Sequence, residues 1–277
     1  MSVFKQCLRN KKFILSAIIL IPLLFIAVFG NFIISHDPLE IHSTQTLEAP
    51  SAEYPMGTDE YGRCIACRLI VGIQPTMIVA FGGAIIAMVA GSFLGLLAGY
   101  VRDSIGNVIM RVVEIILCFP SILLAMMVVG LWGSGVTNLV LVVGILYTPH
   151  FARIAYSSTR KLRKMEYVES QQLLGASTLR ILGKTLLPNI VSSLIIQFSL
   201  TVANGILLES GLSFLGLGVQ PPEPSWGQMI GSAKAYIATN AQYMFWPALF
   251  LCLTILATNL MGDALRDVLD PKLKKSF

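Results

Sequence analysis

The apolar residues of this chain fall in long runs that recur from one end to the other, with mostly short polar connections between them. A hydrocarbon core about 30 Å thick takes roughly 20 helical residues to cross. The runs at residues 13–34, 77–100, 110–131, 136–156, 190–211 and 243–263 each meet that length. They must be helices, because lipid offers no partner to an open backbone N–H or C=O. The expected fold is an all-α polytopic membrane bundle of six transmembrane helices. A first unit, residues 1–76, carries one helix and a long loop, and residues 77–277 form a five-helix core. The first run is too long for a signal-peptide core and lacks a small-residue cleavage site, so it reads as a retained span.

Charge fixes an orientation. Only 13% of residues are charged, about half the share usual in soluble domains. The formal charge of +5 does not mark a nucleic-acid binder, because the basic residues flank the spans and build no basic face. With six crossings, 17 of the 20 Lys and Arg residues fall on one side, leaving Arg63, Arg68 and Lys234 on the other. The positive-inside rule then puts both termini in the cytoplasm. The loop at 35–76 becomes the long outer segment, and it is acidic through Asp37, Glu40, Glu48, Glu53, Asp59 and Glu60. The long inner segment is 157–189, and 212–242 forms a cap over the outer mouth.

Within the spans, Gly91, Gly95 and Gly99 recur at a spacing of four, with Gly82 and Gly83 preceding them, a pattern that lets helices approach closely. Arg111 and Glu114 stand three residues apart, so they can pair on one helix face. Pro120 and Pro149 remove helix hydrogen bonds and favour bends. Glu209, near the outer end of the fifth run with Gly211 and Ser213, is a candidate gate or lumen group, since an ionisable side chain in a membrane is costly unless it is used.

Catalytic readings find little support. Gly183-Lys184-Thr185 imitates the end of a phosphate-binding loop, but residue 178 is Thr where that loop requires Gly. No nucleophile motif or aqueous catalytic domain accompanies the Ser, His and Asp residues present. Cys64-Ile-Ala-Cys67 has the spacing of a thiol pair without a second Cys/His pair close in sequence. Small-residue packing, a disulfide and a metal contact all stay open there, with His36 and His42 earlier in the same loop. No metal ligand set is assigned, and no cofactor is expected on this chain.

The inner segment reads as a docking helix. Lys161-Leu-Arg-Lys-Met-Glu-Tyr-Val-Glu-Ser-Gln-Gln-Leu-Leu-Gly175 has helical character, Gly175 offers a stop, and Pro188 marks entry to the next span. In this loop the chain resembles the permeases of ATP-binding-cassette importers, specifically the second permease of the dipeptide, oligopeptide and nickel branch. Glu169-Ser170-Gln171, Gly175 and Leu187-Pro188-Asn189 stand where that family has Glu-Ala-Ala, Gly and Leu-Pro-Asn. Ser170 and Gln171 depart from the two alanines, and Thr185 from a frequent histidine. Met56-Gly-Thr-Asp-Glu-Tyr-Gly-Arg63, Gly95-Leu-Leu-Ala-Gly-Tyr100, Leu212 to Ile230 and Asn259 to Pro271 match further family blocks in order. Cys64 and Cys67 replace the usual Asp and Ser.

The resemblance implies a type I importer permease core that pairs with a homologous permease. It also implies two ATPase subunits carrying ATP and Mg, an extracytoplasmic substrate-binding protein, and a bacterial or archaeal membrane. Glu166, Glu169, Ser170, Gln171, Gly175 and Pro188 become the ATPase-coupling residues. Asp59, Glu60, Arg63 and Trp226 become contacts for an outer partner. Short peptides are the expected substrate, with nickel or a metal–metallophore complex as the alternative. An ion-driven secondary transporter, which would work without ATPases, is the independent reading.

Overall fold

The computed structural model describes residues 6–101 and 103–269. Lys5, Arg102, Lys272, Lys274 and Lys275 of the charge argument lie outside them, as do Asp270 and Pro271 of the terminal block. The described chain is helical, its only bridge of strand type joining Thr58 and Cys64. Five helical stretches among the described residues are long and apolar enough to cross a membrane, and the count rises to six when one bent pair is taken as a single span.

Helix α1 (Lys11–Ile33) starts where the Asn10 side chain accepts from the Lys12 N–H at 2.9 Å, an N-cap that satisfies one orphan donor. It turns only Ser16, Leu23 and Gly30 inward and exposes a nearly continuous apolar surface. Its inward side lies on α10 (Ala241–Leu269) and on α2 (Ile65–Val71), where Gly30 lets Ile70 approach.

The densest packing joins α3 (Ile73–Tyr100) to α6 (Val136–Leu162). The glycine stripe accounts for it. A Cβ on Gly91 would stand 2.6 Å from Phe151 Cβ, one on Gly95 2.6 Å from Ala155 Cβ, and one on Gly99 2.7 Å from Thr159 Cβ. Three successive turns of α3 thus meet α6 backbone to backbone, the close approach that small residues allow. α8 (Leu187–Phe214) packs across both, and Gly205 lies over Ala80.

The third run departs from a straight span. It is two helices, α4 (Asp103–Leu117) and α5 (Ser121–Trp132), bent by 89° at the break. Pro120 stands immediately before α5, where its missing N–H costs nothing, and it keeps residue 119 out of helical geometry. The bend expected there is therefore a full corner. α4 buries Gly106, Met110 and Val113 against α3 and α6 and exposes Val108, Val112 and Ile115 on its far face. Arg111 and Glu114 pair at 3.4 Å on that exposed side. Pro149, in contrast, sits buried inside a continuous α6.

Candidate coupling loop and the lobe at the opposite end

At the end of the bundle where α3 and α6 finish, α7 (Glu166–Leu173) stands on a prepared base. Arg163 donates to the last carbonyls of α3, Tyr100 at 3.1 Å and Val101 at 2.9 Å. Arg160 pairs with Asp103 at 2.7 Å. α7 itself buries one residue, Val168, into the core shared by α6 and α8. Glu166 and Glu169 lie in its first turn, where carboxylates complement the helix dipole, and both are exposed.

The stop is a full Schellman motif. The Ala176 N–H reaches the Gln171 carbonyl and the Gly175 N–H that of Gln172, each at 3.0 Å. Gly175 has φ +78°, the left-handed conformation in which a Cβ is penalised, although the space around it is open. Ser170 bonds back to the Glu166 carbonyl at 2.8 Å. Gln171 accepts from Thr185 at 2.9 Å, which joins two of the three loop residues that depart from the family's pattern. Gln172 donates to the Tyr100 hydroxyl at 3.0 Å. Beyond the stop, Thr178–Arg180 runs into a π-helical turn, Ile181–Leu186, and Pro188 opens α8 in its first turn. Leu173, Leu174 and Leu179 are 89%, 86% and 79% exposed. Leu173 and Leu174 thus lie bare at the end of a helix that carries two exposed carboxylates and is tied down through Val168, Gln171 and Gln172.

At the opposite end the 34–64 loop folds back through Gly57-Thr-Asp-Glu-Tyr-Gly-Arg63. Gly57 and Gly62 take φ of +79° and +76°. Asp59 accepts from the backbone of Tyr61 and Arg63, both at 2.9 Å, and from Arg63 Nε at 2.6 Å. Arg68 Nε stands 3.4 Å from the same carboxylate, close enough to pair and too poorly aligned to count as a hydrogen bond. Arg68 also donates to the Pro38 and Pro222 carbonyls at 3.0 and 3.3 Å, joining the loop to the segment before α9 (Trp226–Ala233). Trp226 donates to the Leu69 carbonyl at 2.9 Å. Asp59, Arg63 and Trp226, read from the sequence as outer partner contacts, here take part in the chain's own packing. All three are buried, Asp59 and Arg63 held by each other with Arg68 beside Asp59, and Trp226 held by Leu69, while Glu60 is half-buried and 3.7 Å from Arg63. Arg68, which the sequence offered only as a charge, is the central tie.

Glu209 is fully buried on α8, accepting from Thr76 at 2.7 Å and from Ser213 at 2.6 Å, with Ser210 at 3.3 Å. Ser213 in turn accepts from the Val219 N–H at 3.1 Å. Glu209 and Ser213 therefore face the chain's own packing, and they fasten α3 and the 215–219 turn to α8. Gly211 is half-buried on the other side, towards Ile122.

Comparison with known proteins bears on the whole chain. Residues 91–275 match the family described as "Binding-protein-dependent transport system inner membrane component", and residues 2–50 match the "N-terminal TM domain of oligopeptide transport permease C". A di/tripeptide transport system permease protein, DppC, from Pseudomonas aeruginosa is 38% identical over 97% of this chain and 90% of its own length. A glutathione transport system permease protein, GsiD, from Pectobacterium atrosepticum is 36% identical over 98% and 90%. An inward-facing structure of the MetNI methionine ABC transporter superposes with TM-score 0.60 at 20% identity, covering 74% of this chain and 97% of that one. The chain belongs to the family of binding-protein-dependent transport system inner membrane components and is a permease subunit of an ATP-binding-cassette importer, with no ATPase site of its own.

Proposed function

We propose that this permease forms, with a homologous partner, the membrane pathway of an importer of short peptides, and that α7 is where the ATPases move it. One observation carries the coupling reading: Leu173 and Leu174 are bared at the end of an element that carries the exposed Glu166 and Glu169 and is anchored by Val168, Gln171 and Gln172. Bare leucines outside the membrane call for a protein partner. An element tied to both α3 and α8 transmits displacement to the bundle in place of yielding to it. The basic end then faces the cytoplasm and the Asp59–Arg68 lobe faces the substrate-binding protein. ATP-driven closure of two ATPases would rock the paired permeases between outward and inward access.

The peptide reading rests on similarity along nearly the full chain to di/tripeptide and glutathione permeases. Vesicles holding the complete transporter, given labelled dipeptide, labelled tripeptide, nickel, or nickel with a metallophore, should accumulate the peptides in an ATP-dependent way. Accumulation of nickel alone would overturn the substrate and keep the importer. Peptide uptake driven by an ion gradient without ATPases would keep the substrate and overturn the ATP-driven coupling through α7.

A further inference from the structure

We propose that His36, Cys64 and Cys67 form a binding site for a thiophilic d10 cation, Zn(II) above all, at the junction of α1 with the loop lobe. The two thiols and one imidazole nitrogen lie within 4.8 Å of one another. Tetrahedral Zn(II) with Zn–S near 2.3 Å separates its ligand atoms by about 3.8 Å, so closure needs a shift of roughly 1 Å. Local structure brings the donors together. Cys64 is the N-cap of α2, its sulfur accepting from the Cys67 N–H at 3.3 Å, so both thiols sit on the first turn of one helix. His36 comes from the chain leaving α1, 28 residues earlier in sequence than Cys64.

The imidazole is already oriented. Its ring stacks on Tyr54 at 5.1 Å, and Nδ1 lies 3.3 Å from the Ser35 hydroxyl, the kind of outer support that fixes metal-binding histidines. His42, the other histidine of the loop, lies apart from this group and pairs with Glu40 at 3.7 Å.

Donor chemistry selects the ion. Two sulfurs and a nitrogen suit zinc or cuprous copper and not magnesium or calcium, which take oxygen ligands. Charge narrows it further. Both cysteines are 3% exposed, packed with Tyr54, Ile34 and Ala66, and two thiolates with a neutral imidazole exactly neutralise a divalent ion in that apolar pocket. The half-buried His36 side leaves a fourth position for water. Bound there, the ion would fasten the end of α1 to the start of α2, and it would be resident in the permease, separate from any transported cargo.

The test uses full-length permease purified in detergent under argon, loaded with Zn(II), dialysed, and measured for metal content. About one zinc per chain is expected, with an upward shift of the thermal midpoint on loading. Co(II) in its place should give a thiolate-to-metal charge-transfer band. Cys64→Ser with Cys67→Ser keeps an oxygen N-cap on α2 and should lose the metal, the band and the shift, while eluting as the parent does. His36→Ala should weaken Zn(II) binding by about tenfold or more. Failure of the reduced parent to hold zinc, equal retention by the double variant, or isolation of the parent with Cys64 and Cys67 joined in a disulfide would overturn the site.

Discussion

Asp59 is the residue on which the acidic end turns. It is fully buried, with Arg63 and Arg68 against one carboxylate, and Glu60 supplies the second negative charge that balances them. Asp59→Ala would leave two guanidinium groups buried around Glu60 alone, and removing one partner of a buried pair costs about 3–5 kcal/mol. Arg68→Met would still leave Asp59 its bond to Arg63, so its cost should be that of lost hydrogen bonds, about 1–3 kcal/mol. Thermal unfolding of the purified permease, followed by tryptophan fluorescence, should rank Asp59→Ala well below Arg68→Met. Equal losses would mean that the carboxylate does not organise the lobe. The sequence displayed the Gly-Thr-Asp-x-x-Gly-Arg block plainly and still suggested a surface contact, because a one-dimensional pattern does not say which way a charge faces. The buried Arg68 is held by the carbonyls of Pro38 and Pro222, which are far apart along the chain. Gln171 and Thr185 teach the same lesson: each looked like an isolated departure from a family pattern, and the fold makes them partners.

At the scale of elements, hydropathy located the helices well and their ends poorly. The run at 136–156 belongs to a helix extending to Leu162, and that at 243–263 to one extending to Leu269. Hydropathy detects the stretch in lipid, whereas the hydrogen-bonded helix continues through Arg160 and Arg266 into water. Pro120 announced a bend without its angle, since a proline deletes one hydrogen bond and the corner depends on how both broken ends are capped. The glycine stripe was the most legible feature, because spacing alone specifies a face. Its consequence can be measured. Gly95→Val would drive a side chain into the α6 backbone at Ala152 and Ala155, and overpacking of this kind costs about 1–3 kcal/mol or more. Gly130→Ala, on α5 with nothing within 4 Å of the added Cβ, should be neutral or stabilising by about 0.5–1 kcal/mol. Recovery of monodisperse protein after mild heating should fall sharply for Gly95→Val and not for Gly130→Ala. Matching behaviour would mean that α3 and α6 do not rely on backbone contact.

Taken as a whole, the molecule has two ends fastened to the same two helices, α3 and α8. α7 reaches α3 through Gln172–Tyr100 and the lead into α8 through Gln171–Thr185. Thr76 of α3 and Glu209 of α8 are joined at the far end, and Trp226 ties α9 to α2. A push on α7 therefore moves helices whose opposite ends carry the lobe, which is the mechanical requirement for alternating access by rigid-body motion. The proposed docking surface can be separated from the fold that supports it, because Leu173 and Leu174 contribute almost nothing to the chain's own packing. Substituting both with Asp should change the permease's thermal midpoint little, since exposed substitutions usually stay within about 0.5 kcal/mol. Truncating a hot-spot residue at an interface costs about 2 kcal/mol or more, which corresponds to roughly 30-fold weaker association. The double variant should fold as the parent does, bind its ATPases at least about 30-fold less tightly in detergent, and lose ATP-dependent peptide uptake. Normal ATPase binding with normal uptake would remove α7 from the coupling path, and the search for the docking element would then move to the exposed face of α4.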